Sequence, residues 1–440
     1  MTNNARNINN IYYIFIIAHL IFWTLIPSLT NQNLPLDTIE ALAWGSNLDW
    51  GFNKHPPMSA FFSEVFFQIF GSQDWAYYLL SQIFVLTSFY YVFKFSKEFF
   101  NNDLLGLISV LLIESIYFYN FTSPEFNVNV CQLPFWSLTV YFSWRIYNSK
   151  EIKFTDCFLI GLFAAFGFLS KYLFVYLLVS IDLLFIYLIF IKKEKKFDFK
   201  YLISVEVFLI ILVPHLIWLN NNDFITVTYG LARTGLEQSS LIDHIKFPLI
   251  FLIKQIGLLI PFLILILLLI KKIKFKFNFK DKKLLFILAI NIFPILLMFL
   301  TSVITGSKIR TMWMTPFYLY FGTLFIYIFK AQINFKKLKP FIVGFIFLFF
   351  LSPMLYAYVS ISKDNKRTDY PGKEIAIKTQ YAWDLQFKSK INVVYGNEWN
   401  AGNLSYHLKS RPVWVGFIER EKLDQLKDYM CLDNVCVGSK

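Results

Sequence analysis

Charge is in short supply in this sequence. Of its 440 residues only 16% are charged, while 56% are hydrophobic and 20% aromatic. An average soluble domain carries about a quarter charged residues, so an ordinary water-soluble globule is excluded. Cysteine is scarce too: four residues are too few for a disulfide scaffold. Cys131 and Cys157 lie in apolar runs and read as packing residues, whereas Cys431 and Cys436 are close enough to pair in an oxidising compartment. The five histidines (His19, His55, His215, His244 and His407) show no zinc spacing, and no metal site is expected. Neither a P-loop nor a Rossmann glycine fingerprint occurs, so no nucleotide or other cofactor is expected. The first apolar run, Ile11 to about Pro27, lacks a small-residue cleavage site and reads as a retained span.

What is present is long apolar runs separated by short basic clusters, the pattern of a polytopic membrane protein. The runs predict about eleven spans, near 11–29, 76–93, 104–121, 128–144, 155–170, 172–191, 202–219, 247–270, 284–304, 312–329 and 340–360. The net charge of +13 does not indicate nucleic acid, because the lysines sit in short loops between spans. Segments 192–200, 271–283 and 330–339 are strongly basic and 145–153 mildly so, all on one side of the chain's winding. The positive-inside rule then puts the N-terminus in the cytoplasm and the C-terminus outside. For a bacterial protein this means the inner membrane, with the C-terminal part in the periplasm.

The expected fold is therefore mostly α: a membrane bundle over 1–361 with a long first outer loop (30–75), and a small α/β domain outside the membrane over 362–440. In the latter, 372–388 reads as a helix, 391–395 and 412–417 as strands, and 419–429 as a charged helix.

Chemistry concentrates on the outer side. The first outer loop is long for a mere connection and holds Asp37 and Glu40, three apart and so on one face of a helix. Either carboxylate can serve as general base. The same Asp-x-x-Glu after a proline is also a capping box, with Asp37 as cap and Glu40 reaching back. Further along the loop, Lys54 and His55 precede a stiff Pro56-Pro57 pair and can offer cations to a phosphate. Other polar residues stand at outer span ends: Glu125 with Asn127 and Asn129, Lys171, His215, Arg233, and Lys308, Arg310 and Trp313. Cations there can snorkel, or they can serve a substrate, and the positive-inside rule disfavours them on that face. A membrane enzyme without a nucleotide site needs a substrate already activated, for example by a lipid phosphate.

Several segments together resemble bacterial glycosyltransferases of the C-type membrane fold, the group of dolichyl-phosphate-mannose–protein mannosyltransferases and the lipid A aminoarabinose transferase. They are Leu36-Asp-Thr-Ile-Glu-Ala-Leu-Ala-Trp-Gly45, Lys54-His-Pro-Pro-Met58, Gly167-Phe-Leu-Ser-Lys-Tyr172, Pro214-His-Leu-Ile-Trp218 with Asn222-Asp-Phe224, Gly306-Ser-Lys-Ile-Arg-Thr-Met-Trp313, Arg367-Thr-Asp-Tyr-Pro-Gly-Lys-Glu374 and Gly396-Asn-Glu-Trp-Asn-Ala-Gly402. The resemblance implies a polyprenyl-phosphate sugar donor, a lipid A, glycan or protein acceptor, and an active site at the outer membrane face. Asp37 matches the family's first-loop aspartate and Glu40 an acidic position after it. Lys54, Lys171, Lys308 and Arg310 would neutralise the leaving lipid phosphate. A transporter or flippase of lipid-linked sugars, or a polysaccharide polymerase or ligase, explains the spans equally well. The long acidic loop and the outer domain favour the transferase.

Overall fold

The computed structural model describes residues 3–235, 240–275 and 277–440. Its helices are α1 (Asn3–Thr30), α2 (Leu36–Gly45), α3 (Met58–Phe70), α4 (Asp74–Phe100), α5 (Asp103–Glu114), α6 (Val128–Cys131), α7 (Leu133–Asn148), α8 (Phe154–Ser170), α9 (Val175–Ile186), α10 (Lys200–Asn221), α11 (Ile225–Thr234), α12 (Asp243–Leu258), α13 (Ile260–Leu269), α14 (Lys282–Thr305), α15 (Phe321–Ile328), α16 (Leu338–Ser362), α17 (Gly372–Gln386), α18 (Glu398–His407) and α19 (Arg420–Leu423). Among the described residues, six helical stretches are long and apolar enough to cross a membrane: Arg6–Thr30, Asp74–Phe100, Tyr172–Ile191, Lys200–Asn221, Lys282–Thr305 and Phe335–Ser362. Counting the bent pair α12–α13 as one span makes seven. The chain is a multi-pass membrane protein.

The helices do not confirm the expected count of about eleven spans: several of the expected runs are broken, and the breaks have local causes. The run expected at 104–121 is helical only to Glu114, where the Asn120 side chain donates to the Glu114 carbonyl (2.6 Å) and ends the ladder. The run at 128–144 opens with the Asn127 side chain capping the amides of Asn129 and Val130 (2.9 and 3.1 Å), then restarts at Leu133. The run at 247–270 bends by 50° ahead of Pro261. The run at 312–329 is a 3₁₀ stretch from Thr311 to Tyr318 followed by α15. There Gly322 lies against α5 so closely that a Cβ would sit 1.9 Å from the Ser109 carbonyl oxygen. Breaks of this kind free backbone and side chains to line a site.

The core is aromatic and continuous. Phe95, for example, packs against Trp144, Phe286 and Tyr320 with ring centroids 4.9–6.0 Å apart, so α4, α7 and α14 are joined to the segment ahead of α15.

Past α16 a four-stranded sheet has the order β2-β1-β4-β3, with β1 (Val393–Gly396) parallel to β2 (Val413–Trp414) and antiparallel to β4 (Val435–Ser439), which pairs antiparallel with β3 (Asp428–Leu432). The charged helix expected over 419–429 is confined to α19, because residues from Asp428 onward are taken up by the β3–β4 hairpin. Cys431 and Cys436 face each other across that hairpin and form a disulfide.

This C-terminal unit is clamped onto the first loop. Gly402 of α18 lies against α2 so closely that a Cβ would sit 3.0 Å from Ala43 and Ile39 side-chain atoms. Asn403 accepts from Asn33 (2.8 Å), Arg411 donates to the Leu42 carbonyl and to Glu64 (2.7 and 2.6 Å), and Tyr406 donates to Asp74 (2.6 Å). The helix carrying Asp37 is thus fixed from the side away from the bundle.

Candidate active site

Helix α2 begins at Leu36 with Pro35 as its N-cap, and no side chain caps it. The capping-box reading of Asp37 and Glu40 is therefore corrected. Asp37 is in the first turn, where a carboxylate is favoured by the helix dipole. Its side chain has no ion pair or hydrogen bond among the described residues. Its backbone N–H donates to the Glu125 carboxylate (3.1 Å), which ties the first loop to the turn before α6. Glu40, one turn on, is buried and engaged, with the Lys54 ammonium 2.8 Å from its Oε1. Lys54 is also 3.2 Å from Glu398 of α18, and Asn53 donates to Glu398 at 2.8 Å. The two carboxylates of the Asp-x-x-Glu pair thus have different surroundings: Glu40 is neutralised, while Asp37 is left free.

Burial raises the Asp37 carboxyl above its usual range, opposed in falling order by the fields of Lys171, Lys54, Arg233 and Arg367. Four cations from distant parts of the sequence therefore act on one carboxylate. Burial, followed by the charge of Asp37, pushes Glu125 up to about 8. Glu40 is raised by burial, against the pull of Lys54. Burial alone would lower Lys54, but Glu40 and Glu398 outweigh it and raise the ammonium, so Lys54 stays charged.

Lys171, between α8 and the next helical stretch, is buried. Its ammonium donates to Asn129 and stands 5.3 Å from the Trp313 ring centroid. Translocon scales put a lysine at the centre of a bilayer at about 2.5–3.5 kcal/mol. The cation is held against a ring and an amide, with no carboxylate within ion-pair distance among the described residues, although the charge of Asp37 acts on it.

His55 takes a different part from the one its neighbours in sequence suggest. Its ring stands edge-on to Trp44 and Tyr229, with centroids 5.8 and 6.5 Å away. Burial, then Lys171, Lys54 and Arg233, lower it to about 3. It is a neutral imidazole and not a cation, able to offer a hydrogen bond to a phosphate but no charge. Arg233 lies over the Tyr229 ring at 5.7 Å, one turn along α11. The fields of Arg233 and Tyr229 both reach Arg310, which links the Gly306–Trp313 segment to the group.

Asp37, Glu40, Lys54, His55, Glu125, Lys171, Arg233 and Trp313 are thus connected in one neighbourhood, with Arg310 joined through Arg233. Two expected residues stand apart. The Lys308 side chain is exposed, and only its backbone N–H is tied in, to the Thr234 carbonyl (2.9 Å). His215 is fully buried between the Trp50 carbonyl (2.6 Å) and the Tyr172 hydroxyl (2.7 Å), where it fastens α10 to the first loop. Three residues of the neighbourhood were not foreseen. Tyr229 is four residues before Arg233, a helical i,i+4 spacing that was available as a signal. Arg367 and Glu398 lie in segments that carry the family resemblance, and their approach to the first loop depends on the docking of α18.

Residues 54–218 match the model of the family described as dolichyl-phosphate-mannose-protein mannosyltransferase. No curated protein matches the chain by sequence. Among solved structures, ArnT from Cupriavidus metallidurans bound to undecaprenyl phosphate is similar at a TM-score of 0.63 with 12% identity, over 94% of this chain and 87% of that one. Its apo form gives 0.65 and 10% with the same coverage. At such identities the likeness is one of fold. The chain is thus similar to the protein mannosyltransferase family over residues 54–218, and to ArnT in fold.

Proposed function

We propose that the protein transfers a sugar from a polyprenyl-phosphate carrier to a lipid A, glycan or protein acceptor at the outer face of a bacterial inner membrane. The observation that carries this reading is the free carboxylate of Asp37 amid Lys54, Lys171, Arg233 and Arg367. A base beside a nest of cations suits a reaction in which a proton is taken up and a phosphate departs. ArnT, whose fold this chain shares, has been crystallised with undecaprenyl phosphate, which supports a polyprenyl phosphate as the carrier here. The Cys431–Cys436 disulfide supports an oxidising, and hence outer, location for the C-terminal unit.

The reaction is a single inverting displacement. An acceptor oxygen attacks the anomeric carbon, the bond from that carbon to the phosphate oxygen breaks, and its electron pair leaves with the lipid phosphate. A hydroxyl acceptor gives its proton to Asp37. A phosphate acceptor is already ionised, and Asp37 then positions it. The cations stabilise the charge that develops on the departing phosphate, the largest expected contribution to the rate.

Mass spectrometry of lipid A and surface glycans from a strain lacking the gene tests this. The expected result is one glycan species lighter by a single sugar, with the lipid-linked sugar accumulating. An unchanged envelope with no donor build-up would overturn the reading.

A further inference from the structure

Helix α7 starts at Leu133 near the Lys171–Asn129 pair and runs for 16 residues, about 24 Å, to the opposite end of the bundle. There, between the α7–α8 turn, the segment ahead of α10 and the start of α14, lies a cleft of about 760 Å³. Seven lysines and three carboxylates line it. Two of the carboxylates are already paired: Glu194 with Lys192 and Lys282 (3.5 and 3.0 Å), and Asp198 with Lys200 (3.8 Å). Only Glu151 is left for Lys150, Lys153 and Lys196, and none of these has an ion-pair partner among the described residues. Lys195 is held by the carbonyls of Ile146 and Ser149 (2.7 and 2.9 Å), so its charge too faces no carboxylate.

The site is built, and is more than a spray of loop lysines. Tyr147 donates to the Lys282 carbonyl (2.7 Å) and fastens the α7 wall to α14. The Tyr201 hydroxyl, at the cleft wall, is buried with no hydrogen-bond partner among the described residues. A buried unpaired hydroxyl is costly, and a ligand oxygen would satisfy it. Burial, followed by the charge of Lys282, lowers the Lys195 ammonium, and an arriving anion would relieve that strain between cations.

We propose that this cleft is a second anion site, which binds a phosphate ester at the face of the membrane opposite Asp37. Lysines suit phosphate as point charges, while the tyrosine hydroxyl adds direction. The phosphate has two possible sources with the same chemistry, the headgroup of an anionic lipid in that leaflet or a soluble phosphate compound. The site does not depend on the glycosyltransferase reading.

The test uses the full-length purified protein. Phosphatidylglycerol retention is followed by native mass spectrometry with phosphatidylcholine as reference, and inorganic pyrophosphate is titrated by calorimetry. The cleft variant is K150Q/K153Q/K196Q. A control, K271Q/K272Q/K274Q, removes the same charge from another basic loop. Affinity for at least one probe should fall about tenfold or more in the cleft variant and hold in the control. Retention of phosphatidylglycerol identifies a lipid source, and pyrophosphate binding alone a soluble one. Equal losses in both variants, equal retention in both, or no binding of either probe would overturn the proposal and leave the lysines to the positive-inside rule.

Discussion

The two ends of the bundle treat cations in opposite ways. At the Asp37 end, each of Lys54, Lys171 and Arg233 has its own fixture: a pair of carboxylates, an amide with an indole ring, and a phenol ring. At the other end the lysines come in loop clusters, and Lys150, Lys153 and Lys196 are exposed. With the N-terminus inside, as the basic loops predict, the topology rule accounts for the second arrangement and runs against the first. A buried cation calls for a compensating anion; the charge of Asp37 reaches Lys171, but no carboxylate among the described residues is within ion-pair distance of it. The comparison therefore supports the proposed lipid phosphate at the Asp37 end, and the proposed anion site at the other.

The comparison can be tested by removing charges at the Asp37 end one at a time. Asp37→Asn should have the largest effect, lowering transfer by about 10²–10⁴ with normal membrane insertion. Glu40→Gln, which alters a carboxylate already engaged by Lys54, should cost less. Near-full turnover in an inserted Asp37→Asn protein would reduce the residue to a structural part of α2.

Lys171→Met should lower the rate by roughly 10²–10³, the scale of losing one preorganised group on a developing charge. It should also move the pH profile. Asp37 acts as the carboxylate, so activity is present above its raised pKa and is lost as pH falls through it. Lys171 is the strongest of the fields that lower Asp37. Its removal raises Asp37 further, and the acid limb shifts to higher pH. An unshifted limb would separate the two residues.

Glu398→Gln should have the smallest effect, raising the donor KM about tenfold or less with kcat nearly unchanged. Glutamine can keep the bond to Asn53 but releases Lys54 from one of its two carboxylates. A fall in kcat without a change in KM would mean that the α18 contact serves the chemistry and not the placing of Lys54.

Much of this was legible in the sequence, for physical reasons. Long apolar runs announce helices, and they found the bundle. They overstated its continuity, because a hydropathy run does not register one polar side chain, such as Asn120 or Asn127, ending or starting a helix inside it. The β3–β4 hairpin was missed although Asp433-Asn434 between two short strands is a two-residue turn signal, since the charges of 419–429 read more strongly as a helix. At the site, Asp37, Glu40, Lys54 and Lys171 stood out as charges beside apolar spans. That Glu40 is taken up by Lys54, that His55 is neutral and that Glu398 reaches Lys54 are consequences of burial and docking across 344 positions. No local pattern encodes them.

The account is tested most directly by giving the purified protein a radiolabelled polyprenyl-phosphate sugar in proteoliposomes, and following the fate of the glycosyl–phosphate bond. The account predicts that free polyprenyl phosphate forms as label appears on an added acceptor, and that neither happens with the Asp37→Asn protein. Intact donor that crosses the bilayer with no bond cleaved would contradict it, and would make the Asp37 neighbourhood the binding site of a carrier.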